Sequence, residues 1–114
     1  MSYVVTPFEV SSKALAGRMS CHFVHILSGI ATRHSDTMDC LFLVNGQRVL
    51  VAISCAAVTE LRERQGKSLS DQQLAEIAAL HLRRTLEGGY DATGCELNIG
   101  GSELQSLARE LGYL

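Results

Sequence analysis

The residues best suited to chemistry in this chain of 114 are its histidines and cysteines, four of each. His22 and His25 lie three apart, and Cys21 and His25 four apart, so on a helix either pair shares a face. Imidazole with thiolate can hold Zn²⁺, and His34 and Cys40 follow in the chain. A thiol beside an imidazole is also a candidate nucleophile, because the base favours the thiolate. Neither reading gains support elsewhere: no second close pair of ligands occurs, and the carboxylates are scattered. The pattern therefore reads as an ordinary histidine-containing helix, with no metal, no cofactor and no assigned catalytic residue.

Glycine-rich segments supply the other candidates. Asn98-Ile99-Gly100-Gly101-Ser102 sets two glycines between an expected strand and a helix start, where backbone N–H groups and the positive helix end suit a phosphate or carboxylate. The GxGxxG and GxxxxGK[ST] spacings are both absent, and Ser102 could cap the helix itself. Gly88-Gly89-Tyr90-Asp91 is first a helix stop and a turn. If the chain has a ligand loop, Tyr90 and Asp91 are its most useful polar groups. The candidate ligand-binding residues are thus Tyr90, Asp91, Gly100, Gly101 and Ser102.

The element with the clearest signal lies between these candidates. Two apolar runs flank Asn45-Gly46, a strong signal for a two-residue hairpin over about residues 38–53. A tight turn sets Val44 opposite Gln47, Phe42 opposite Val49, Cys40 opposite Val51 and Met38 opposite Ile53. The other face carries Leu41, Leu43, Leu50 and Arg48, too apolar to be plainly solvated. Ser54 is placed to cap a helix from Cys55 to Gln65, closed by Gly66. Ser70-Asp71-Gln72-Gln73 is a capping box opening a helix that runs to about Glu87, with Leu74, Ile77, Ala78, Leu82 and Leu86 on one face. Cys95–Ile99 alternates as a strand, and Ser102 with Gln105 forms a second capping box before a short helix stopped by Gly112.

The N-terminal part reads less clearly. Tyr3–Val5 is a possible short strand ended by Pro7. Ser11 or Ser12 caps a possible helix through Leu27, since Leu15, Met19, Phe23, Ile26 and Leu27 follow one helical face. The competing reading makes Ser20–Leu27 a strand. The helix is preferred because the apolar positions before residue 20 fit only its period. Together these elements give one α+β domain over 1–114, its small sheet built on the hairpin and the strand 95–99 and covered by three or four helices.

Composition narrows the function classes. A hydrophobic content of 46% with one proline argues against disorder. A net charge of −2, with three Tyr, three Phe and no Trp, offers neither the basic patch nor the stacking platform of a nucleic-acid binder, and Arg62, Arg64, Arg83 and Arg84 fit solvated helix faces. The start of the chain lacks the pattern of a signal peptide, and no apolar run is long enough to span a bilayer, so a cytoplasmic setting with reduced thiols is expected. The first functional expectation is a non-enzymatic binding or accessory module that self-associates as a homodimer, with the Leu41/Leu43/Leu50 face covered by the N-terminal segment, a second copy or a ligand. The second is a small enzyme or ligand-binding protein, with a pocket near Tyr90, Asp91 and one of His22, His25 or His81.

Overall fold

The computed structural model of the chain describes residues 5–11, 18–27, 37–66, 68–88 and 96–114. Its centre is the hairpin of β3 (Thr37–Val44) and β4 (Gln47–Ser54). Asn45 has φ 51° and Gly46 φ 81°, the two positive values of a type I′ turn, and the register is the expected one from Val44–Gln47 to Met38–Ile53. The turn is stitched to the neighbouring strand: Asn45 donates its N–H to the Ser20 carbonyl, and its Oδ1 accepts from the Ser20 N–H, each at 2.9 Å.

That neighbour is β2 (Arg18–Leu27), a strand where the helical reading was preferred. Its register against β3 shifts between Phe23 and His25, a bulge centred on Val24. The residues packed toward the core are therefore Met19, Cys21, Phe23 and Ile26. One extra residue turns the strand period of two into a run in which positions 19, 23 and 26 have helical spacing. Ser11 is likewise no helix cap but the end of β1 (Phe8–Ser11), which pairs antiparallel with the start of β2. Tyr3, residues 12–17 and residues 28–36 lie outside the described residues.

Ser54 caps α1 (Cys55–Gln65) by accepting from the Ala57 N–H, and Gly66 closes it at φ 65°. The capping box of Ser70 and Gln73 opens α2 (Asp71–Glu87), as expected. β5 (Glu96–Ile99) runs parallel to β4, so the connection through α1 and α2 is a crossover. The described strands form one sheet in the order β1-β2-β3-β4-β5, larger than a hairpin plus one strand. The last helix, α3 (Gly101–Glu110), begins earlier than expected: Gly100 holds the N-cap position and Ser102 lies inside the first turn, so the Ser102–Gln105 capping box does not form. The covering layer in the described residues is three helices.

The layers follow from the pleat. Cys21, Cys40, Phe42, Val44, Val49, Val51, Ile53, Leu97 and Ile99 form one buried cluster with Leu61, Leu74, Ile77, Leu82, Leu86 and Leu104 of the helices. The α2 helix touches β1, β2, β4 and β5, which accounts for its wide apolar face. The opposite face carries, row by row, His22–Leu43–Arg48, His25–Leu41–Leu50–Glu96, and Asp39–Ala52–Asn98. No helix among the described residues is long and apolar enough to cross a membrane.

Candidate functional site

The bulge in β2 separates the residues that the sequence brings closest together. Cys21 lies on the helix side of the sheet and is fully buried. His22 and His25 both lie exposed on the opposite face, because the extra residue at Val24 returns position 25 to the side of position 22. Cys21 and His25 thus point away from each other through the sheet, and neither a shared zinc nor a thiol–imidazole pair can be built from them. Burial pushes the Cys21 thiol up to about 11, against a lowering by Arg83, and the Cys40 thiol up to about 12, with Asp39 and Asp71 adding to the rise. Both behave as small apolar core residues rather than nucleophiles. Among the described residues no three His, Cys, Asp or Glu side chains gather as metal ligands would.

Of the candidate ligand-binding residues, Tyr90 and Asp91 lie outside the described residues, whereas Gly100, Gly101 and Ser102 form the start of α3. Two candidates named for separate sites lie side by side there. His81 of α2 and Ser102 of α3 line a shallow depression of about 230 Å³ with Glu103, Ser106 and Leu107. The His81 Nδ1 is 3.9 Å from Glu103 Oε2. Burial holds the imidazole below its ordinary pKa, with Glu103 pulling the other way. A largely neutral imidazole beside a carboxylate and two hydroxyls can accept a proton or orient a polar ligand. Glu103 and Ser106 carried no sequence signal, because their meeting with His81 depends on how α3 packs against α2.

The second place of interest is the sheet face away from the helices. Leu43 and Leu50 are partly exposed in its middle, with His22, His25 and Arg48 exposed around them. Leu41, expected to need an outside cover, is only 7% exposed, and Ala52 is buried, so the uncovered apolar surface is smaller than the sequence suggested. Asp39, opposite Ala52, is fully buried on this face. Its Oδ1 accepts from Thr37 Oγ1 at 2.8 Å, while Oδ2 meets no donor among the described residues.

The basic residues are dispersed. Arg64 pairs with Glu60 at 2.9 Å, Arg84 is held bidentate by Glu110, and Arg83 lies over the Phe8 ring. No protein-family model matches the chain, and no curated protein or solved structure shows significant similarity to it.

Proposed function

We propose that the chain is a non-enzymatic binding or accessory module that works as a homodimer, paired through the sheet face its helices leave uncovered. The observation that carries this reading is the partly exposed Leu43 and Leu50 in the middle of that face, ringed by His22, His25 and Arg48. An apolar centre with a polar rim is the ordinary anatomy of a protein interface. A single face that must cover itself is suited to a two-fold contact, in which each copy presents the same patch. The separation of Cys21 from His25 across the sheet favours this reading over catalysis. Buried, unpaired Cys21 and Cys40 suit a reducing cytoplasm. The dispersal of Arg62, Arg64, Arg83 and Arg84 into ion pairs and separate surfaces disfavours nucleic acid. Sedimentation velocity at micromolar concentration tests the reading. A species of twice the 12.4 kDa chain mass is expected, and a single 12.4 kDa species overturns it.

The depression at His81, Ser102, Glu103 and Ser106 favours a second reading, a small ligand-binding protein or enzyme whose polar site lies between α2 and α3. A thermal-shift screen with nucleotides and common carboxylated metabolites separates the two. Stabilisation lost in His81→Gln supports the second reading, since a ligand that prefers the native state raises its melting temperature.

A further inference from the structure

A second concavity lies on the helix side of the sheet, between α2 and the β1 edge. Among the described residues it is bounded by Val5 and Phe8 at the entry to β1, by Glu76, Leu80 and Arg83 of α2, and by Leu111 after α3. Glu76, Leu80 and Arg83 are spaced i, i+4, i+7 and form one stripe along the helix, with an acid at one end, a base about two turns away along the backbone and a leucine between them.

Neither charge is neutralised by the other or by an ion pair from another described residue. The Arg83 guanidinium sits 4.8 Å from the Phe8 ring centroid, over an aromatic face that holds a cation in place without cancelling its charge. Glu76 accepts one hydrogen bond from Gln72 Nε2 at 3.0 Å through Oε1. Its charge is felt at Tyr113, whose phenol pKa is raised by burial and then by Glu76. The space is about 180 Å³, below the roughly 300–1,000 Å³ of pockets that take drug-sized ligands. It suits a molecule of few atoms.

We propose that this groove binds a small zwitterion with an apolar body, its carboxylate on Arg83, its ammonium toward Glu76 and its hydrocarbon part against Leu80, Phe8 and Leu111. The stripe itself selects for opposite charges on one molecule. A simple carboxylic acid would gain Arg83 but bring no cation to Glu76, and a simple amine would do the reverse. An apolar compound without charge would leave both polar groups facing hydrocarbon. For so small a ligand, dissociation constants of about 10⁻⁴ to 10⁻³ M are expected.

Amide ¹H–¹⁵N NMR titration of the full chain tests this with four probes: leucine, 6-aminohexanoate, 4-methylpentanoate and 3-methylbutylamine. The two zwitterions differ in the spacing of their charges, and the other two compounds each lack one charge. Shifts confined to residues 5–8, 76–83 and 111 are expected for at least one zwitterion, with affinity about tenfold above both singly charged compounds. Leucine binding more tightly identifies an α-amino acid site, and 6-aminohexanoate binding more tightly an ω-amino acid site. Arg83→Gln and Glu76→Gln should each reduce zwitterion affinity about tenfold while leaving the spectrum elsewhere in place. The proposal fails if neither zwitterion shifts these residues at about 10 mM, if a singly charged compound binds as tightly, or if a folded variant keeps full affinity.

Discussion

Burial governs what the two described strand cysteines can do. With thiols raised to about 11 for Cys21 and about 12 for Cys40, the thiolate fractions near pH 8 are about one in a thousand and one in ten thousand. Alkylation of the native protein should therefore leave both unmodified while the partly exposed Cys55 reacts, and denaturant should release all of them. Peptide mapping after a short iodoacetamide pulse checks this, and fast native labelling of Cys40 would contradict it. His81 supplies a second test at this scale. Its folded-state pKa lies below the ordinary value of about 6.5, so as the pH falls through that value the unfolded chain takes up the proton first. The contribution is thus fully present above about pH 7 and is lost as the pH falls toward the folded-state value. An NMR titration of the His81 ring should give a midpoint below 6.5, and a midpoint above it would show that Glu103 outweighs burial.

At the scale of elements, the caps separate what the sequence could show from what it could not. Ser70 donates nothing that packing must supply: its Oγ accepts from the Gln73 N–H at 3.2 Å, and Gln73 Oε1 accepts from the Ser70 N–H at 2.9 Å, all within four residues. Such a motif is local and therefore legible. Ser102-x-x-Gln105 has a similar pattern, yet Gly100 takes the N-cap because β5 ends at Ile99 and the chain turns directly into α3. The two serines should respond differently to removal. Ser70→Ala should cost about 1 kcal/mol in urea denaturation, and Ser102→Ala less than about 0.5 kcal/mol. Equal losses would restore the Ser102 cap. The β2 strand was hidden by a similar ambiguity. Its bulge at Val24 sets Met19, Phe23 and Ile26 at a spacing that a helix also satisfies, and only pairing with β3 decides between them. The hairpin had no such rival, because Asn45-Gly46 and the two period-two runs agree on one register.

For the whole molecule, the contrast lies between the two faces of the sheet. On the helix side Phe42 is fully buried in a continuous core, and Phe42→Ala should cost about 3–5 kcal/mol. Its neighbour Leu43 points the other way, partly exposed and outside that core. The alternation was readable in the sequence, but the extent of cover over Leu41, Ala52 and Asp39 was not, since it depends on tertiary placement. What remains open around Leu43 and Leu50 is where a second copy would sit. A two-fold contact there makes two chains share one apolar centre, so Leu43→Glu sets like charges near each other in a drying interface. The variant should be monomeric, while its fold at low concentration is kept because the helix-side core is untouched. Mass action supplies the decisive measurement. The melting temperature of the native chain should rise with protein concentration over about a 100-fold range, whereas that of Leu43→Glu should not. A native melting temperature independent of concentration would mean that the face is not paired, and the dimeric reading would fall.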